Sequence, residues 1–87
     1  MSDIGAGLIS RYQARLALPA SVKPISLQEG STPLVCLNSL CDPERGIVVH
    51  GKVEGANPTG SFKDRGMTVA ITMAAHEGSE AVICAST

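Results

Sequence analysis

The sequence predicts a layered α/β fold built on one strand–helix–strand (βαβ) unit, and three observations predict it. Residues 47–54, Ile-Val-Val-His-Gly-Lys-Val-Glu, open apolar and then alternate, as a strand does when buried at its start and half-exposed at its end. Residues 61–77 place Phe62, Met67, Val69, Ala70, Ile71, Met73, Ala74 and Ala75 on a helical surface wider than one stripe, which implies cover on more than one side. Residues 81–85, Ala-Val-Ile-Cys-Ala, form the short, fully apolar run found inside parallel sheets. The βαβ unit therefore spans 47–87. An N-terminal helical segment at 1–18 and a connector with one short strand at 19–46 precede it.

In chain order, residues 1–7 are small and polar and read as frayed. From 8 to 18, Leu8, Ile9, Tyr12 and Leu16 fall near helical spacing, with Arg11, Gln13 and Arg15 opposite. Pro19 stops that helix, because the residue before a proline is driven out of the helical region. Pro19, Pro24 and Pro33 stiffen an extended connector, and Leu34-Val35-Cys36-Leu37 reads as a short strand. A polar loop runs from 38 to 46. In the second half, Ser61 is the expected helix N-cap, with Asp64 three residues on as its reciprocal partner. Gly78 is the expected left-handed stop. Met67 and Met73 read as core fillers, and His50 and His76 as surface or edge residues.

Bulk properties narrow the function. The chain has 87 residues, 44% hydrophobic and 17% charged, with a formal net charge of −1. Nucleic acid or anionic membrane as main partner would need clustered positive charge. One Phe, one Tyr and no Trp leave no platform for stacking on bases. Three cysteines, an odd number without a C-x-x-C pair, read as reduced thiols of a cytoplasmic protein. Cys36, Cys41 and His50 fit no familiar zinc spacing, so no metal is expected. The N-terminus lacks a basic segment followed by an apolar core, and no apolar run approaches the ~18 residues of a membrane span.

The chemistry concentrates at residues 55–66, Gly-Ala-Asn-Pro-Thr-Gly-Ser-Phe-Lys-Asp-Arg-Gly. Turn residues fill its first half and helix-starting residues its second, with Lys63 just inside the helix. A phosphate loop is one reading, since Gly55 and Gly60 have its spacing. That pattern requires Lys and then Ser or Thr directly after Gly60; here Ser61 and Phe62 stand there, and Pro58 lacks an N–H to donate. A solvated surface lysine is the bland reading. Against it, a helix N-terminus disfavours a cation by about 0.3–1 kcal/mol. The same field favours an uncharged amine, the form that attacks an aldehyde, and Phe62 and Met67 would add desolvation. A reactive lysine is the sharper of the two alternatives.

Residues 54–67, Glu-Gly-Ala-Asn-Pro-Thr-Gly-Ser-Phe-Lys-Asp-Arg-Gly-Met, resemble the pyridoxal-phosphate lysine segment of the threonine synthases. Residues 29–34, Glu-Gly-Ser-Thr-Pro-Leu, resemble that family's upstream E-G-x-T-P-L signature, and residues 82–87 the strand running into its S-T-G-N-T loop. Three motifs in order cover residues 25–87. The resemblance implies a partial three-layer βαβ unit of a fold type II pyridoxal-phosphate enzyme, of the tryptophan synthase β-subunit family. It implies a lyase of threonine biosynthesis that turns O-phospho-L-homoserine and water into L-threonine and phosphate. By the same resemblance Lys63 is catalytic and holds pyridoxal 5'-phosphate as a Schiff base, and Phe62 packs near the cofactor. Ser86 and Thr87 start the loop that holds the substrate carboxylate. Asp64 and Arg65 are assigned to helix capping and structural pairing.

The family's phosphate-gripping glycine loop and the partner of its pyridine nitrogen have no counterpart in these residues. The chain is therefore expected to be truncated and inactive alone, within a parent for which a homodimer is one arrangement. Two other readings stand beside it: a non-catalytic fragment or interaction module, and a related pyridoxal-phosphate serine/threonine dehydratase.

Overall fold

A computed structural model describes residues 7–85, and its order of elements is helix, hairpin, helix. Helix α1 covers Leu8–Tyr12. Strands β1 (Leu34–Cys36) and β2 (His50–Lys52) pair antiparallel, with Leu34 opposite Lys52, Val35 opposite Gly51 and Cys36 opposite His50. Helix α2 covers Lys63–His76. Three single turns of 3₁₀ helix, at Asn38–Leu40, Pro43–Arg45 and Glu54–Ala56, bend the chain between them.

The two predicted strands meet as a hairpin, and the parallel sheet is not formed among the described residues. Residues 81–85 carry no strand, and Ile83 is fully exposed. The physical reason is pairing. A strand needs neighbours for its backbone N–H and C=O groups, and no described strand lies beside this run. The strand expected over 47–54 shortens to β2. Its upstream end instead makes a small second bridge, where Asp42 and Ile47 exchange both backbone bonds at 2.9 Å around a turn closed by Gly46. Backbone bonds from Leu37 N–H to Val49 O (2.8 Å) and from Val53 N–H to Pro33 O (2.9 Å) extend the main ladder at both ends. The Leu37 side chain lies over Gly51, where a Cβ would sit 3.3 Å from its Cδ1.

Helix α1 is shorter than the 8–18 expected. A helix of five residues cannot hold itself together in water, and it is anchored instead by Ile9, which is buried, and by Glu29, which accepts the Leu8 N–H at 2.6 Å. Beyond Tyr12 the chain continues only as turns closed on Tyr12 O by Arg15 and Leu16.

Helix α2 ends as expected. Gly78 has φ +83°, its N–H reaches Ala75 O, and the Ser79 N–H reaches Ala74 O, which is the paired closure of a Schellman stop. Its buried stripe is not the one expected. Asp64, Thr68 and Thr72, four residues apart, are the buried side chains, while Met67, Val69, Ile71 and Met73 are half-buried. Threonine suits this role because its methyl packs while its hydroxyl bonds backbone. Thr68 donates to Arg65 O at 3.0 Å, and Thr72 accepts the Ile25 N–H at 2.9 Å.

Ile9 and Val22 are the buried apolar residues of the described chain, against six buried polar ones. The shape follows from so small an apolar core. The radius of gyration is 16.5 Å, where a compact chain of this length has about 12 Å. No helix among the described residues is long and apolar enough to cross a membrane.

Candidate active site

The site is built where two distant sequence motifs interlock. Glu54, in the turn after β2, faces Arg65 in the first turns of α2. Arg65 Nε donates to Glu54 Oε1 at 2.6 Å and Arg65 Nη2 to Oε2 at 3.0 Å, a two-point pair of planar groups. Thr32 joins it from the upstream motif: its hydroxyl donates to Glu54 Oε2 at 2.6 Å and accepts from Arg65 Nη2 at 3.2 Å. The Arg65 hydrogen bonds, with those from Thr32 and Asn57, hold the Glu54 carboxyl down at about 2. The same pair raises the Arg65 guanidinium above its usual value.

Asn57 ties the loop on both sides. Its amide donates to Glu54 O and Oε1, and its Oδ1 accepts the Gly30 N–H at 2.8 Å. The Gly30 backbone has φ +83°, and a Cβ there would press on Arg65 Nη1 at 3.3 Å, so a glycine lets the two motifs close. Lys52 adds a bond from its ammonium to Thr32 O.

Glu29 is the second anchor. Its carboxylate accepts from the Leu8 and Leu27 N–H groups and from the Ser26 hydroxyl. Burial works to raise this carboxyl, but the backbone N–H groups of Leu8, Leu27 and Glu29 itself, with the Ser26 hydroxyl, outweigh it and leave it below its usual value.

Lys63 opens α2. The Ser61 hydroxyl accepts the Lys63 N–H at 3.1 Å, but the helix starts one residue later than expected: Phe62 stands at the N-cap and makes no side-chain cap bond, so the Ser61 cap is not formed as predicted. Asp64 does not reach back to Ser61. It is buried and accepts both the Thr59 N–H (2.9 Å) and the Thr59 hydroxyl, which fastens the 55–60 turn onto the helix. Lys63 is half-buried and lines a cleft of about 180 Å³ with Leu27, Thr59, Ser61, Asp64, Met67 and Cys84. Phe62 is 64% exposed at the edge of the helix start. Ser86 and Thr87 lie outside the described residues.

Sequence reasoning assigned Arg65 to structural pairing without naming its partner, and it missed the hub formed by Glu54, Thr32 and Asn57. The partners of that hub are 22 to 33 residues apart for Thr32 and its two contacts, beyond any local spacing rule. The buried stripe of α2 did carry a local signal, the four-residue repeat of Asp64, Thr68 and Thr72.

The profile described as "Pyridoxal-phosphate dependent enzyme" matches residues 25–87. The chain belongs to this family. That stretch holds both interlocked motifs and the lysine. Among curated relatives, the chain is 51% identical over 81 residues to a threonine synthase of a Bacillus species, covering 93% of this chain and 23% of that protein. It is 51% identical over 81 residues to a threonine synthase of Mycobacterium tuberculosis, covering 93% and 22%. It is 54% identical over 78 residues to one of Methanocaldococcus jannaschii, covering 88% and 19%. The chain thus spans about a fifth to a quarter of the length of these relatives. The cofactor of the family is pyridoxal phosphate.

The residues present fit the attachment end of that group. A half-buried primary amine stands at a rigid helix start beside a cleft with apolar walls from Leu27 and Met67. The cleft, about 180 Å³, is smaller than the roughly 300–1,000 Å³ of a whole small-molecule site.

Proposed function

We propose that this chain is the cofactor-lysine segment of a threonine synthase, which acts on O-phospho-L-homoserine and water to give L-threonine and phosphate. The observation that carries the proposal is the place of Lys63: first residue of α2, its N–H held by Ser61, its turn locked by Asp64 and its helix locked by the Arg65–Glu54 pair. The threonine synthases among its relatives support the choice of reaction.

In this reading Lys63, with its amine on the cleft, is the residue that would hold the cofactor. When bound, the cofactor's ring supplies an electron sink for charge developing at the substrate's carbons. Lys63 Nζ would take and return protons at those carbons, its place at the start of α2 keeping it within reach. Phe62 flanks the cofactor, and Ser86 and Thr87 receive the substrate carboxylate. Asp64 and Arg65 act at one remove, by holding the turn and the helix that aim Lys63. The protein works as a lyase in the cytoplasm.

The test is the reaction itself, in the complete gene product. Phosphate release from O-phosphohomoserine, abolished by Lys63→Ala, is the expected result. Keto-acid formation from threonine without phosphate release would instead assign a serine/threonine dehydratase. Neither activity would leave the chain a non-catalytic interaction module.

A further inference from the structure

We propose that Cys36 and Cys41 form a dithiol site that low-molecular-weight disulfides oxidise reversibly to an intrachain disulfide. The site lies on the hairpin, apart from the Lys63 cleft. Cys36 ends β1 and Cys41 follows the Asn38–Leu40 turn, and that turn carries the chain back so that the two sulfurs stand 3.9 Å apart.

Their surroundings differ in a way that assigns roles. Cys36 is exposed, and its thiol donates to Asn38 Oδ1 at 3.1 Å. Cys41 is half-buried and held in place: its sulfur accepts the Val49 N–H at 3.3 Å and lies 3.3 Å from Leu37 O. The exposed sulfur is the one an incoming disulfide can reach, and the held sulfur is the one already positioned to attack it afterwards. Among the described residues no third His, Cys, Asp or Glu joins them, so the pair is a redox site and not a metal cage.

The step balances with glutathione disulfide as oxidant. The Cys36 thiolate attacks one sulfur of the oxidant, forming a mixed disulfide and expelling one glutathione thiolate. The Cys41 thiolate then attacks the Cys36 sulfur, forming the intrachain bond and expelling the second. The two protons lost by the cysteines end on the two glutathione thiols. Excess reduced glutathione reverses both exchanges. Closing the bond requires the sulfurs to move together from 3.9 Å to the ~2 Å of a disulfide, within reach of side-chain rotation.

The experiment treats the folded protein with glutathione disulfide, blocks remaining thiols and maps tryptic peptides. Cys36 and Cys41 fall together in the peptide of residues 16–45, and Cys84 falls in another. The expected result is a 16–45 peptide lighter by two hydrogens and free of glutathione. Cys41→Ser should instead retain glutathione on Cys36. Closure against glutathione should also be about tenfold more favourable in the folded protein than in urea, because folding holds the sulfurs together. A wild-type peptide that keeps glutathione on Cys36, or closure equally favourable in urea, would overturn the proposal.

Discussion

Residues 29–72 and residues 79–85 teach opposite lessons about what holds a small chain in shape. The first region is rich in polar side chains that are buried: Glu29, Thr32, Asn57, Asp64, Thr68 and Thr72. Each of them is hydrogen-bonded, and no buried side-chain N or O atom among the described residues lacks a partner. The second region reads as a strand, yet Val82 is 53% exposed and Ile83 fully so. Polar groups bound within the chain can fix a local geometry with almost no apolar core. An apolar strand cannot, because its backbone must be paired by another strand.

The polar network is most sensitive at Gly7, which lies against Glu29. This glycine has φ +90° and ψ 169°, a region open essentially to glycine, and an added Cβ would stand 2.2 Å from Ser26 Oγ and 2.9 Å from Glu29 Oε2. Gly7→Ala should destabilise by about 1–3 kcal/mol from the backbone alone, with more from displacing Glu29. Denaturant unfolding measures it.

Asp64→Ala comes next. It removes the buried acceptor of the two Thr59 bonds and should cost about 1 kcal/mol, with the 55–60 turn losing hydrogen-exchange protection before the rest of the chain.

A pH experiment sharpens the contrast at Glu54. Its carboxyl is held at about 2 in the folded chain against a usual 4.5. Folding therefore binds fewer protons there, and the stability that the pair contributes is present above about 4.5 and lost as pH falls toward about 2. Thermal melts of the wild type and Glu54→Gln should differ most above that window and converge within it.

The smallest effect is expected in the open region. Val82→Ser should change stability by no more than about 0.5 kcal/mol, as a surface substitution does. A loss as large as that at Asp64 would mean that residues 79–85 are held by contacts the account does not include.

Much of α2 was readable from the chain, because its signals are local: the turn residues before it and Gly78 after it. Its buried face was not, because the apolar residues outnumber the Asp64, Thr68 and Thr72 that are in fact buried. The lysine at its start was readable from the same local signals. The hairpin was only half readable. Both strands were visible, but their mutual pairing was not weighed against the parallel sheet that residues 81–85 suggested. The hub was hidden. Glu54 finds Thr32 and Arg65 only once the chain has folded, and a glutamate, a threonine and an arginine are each ordinary surface residues when read one at a time.

The most direct measurement is borohydride reduction of the complete gene product with pyridoxal phosphate, followed by peptide mapping. The expected result is a pyridoxyl group on Lys63, seen as a peptide of residues 53–65 in which cleavage after Lys63 is blocked. A pyridoxyl group on Lys23 or Lys52, with Lys63 unmodified, would contradict it.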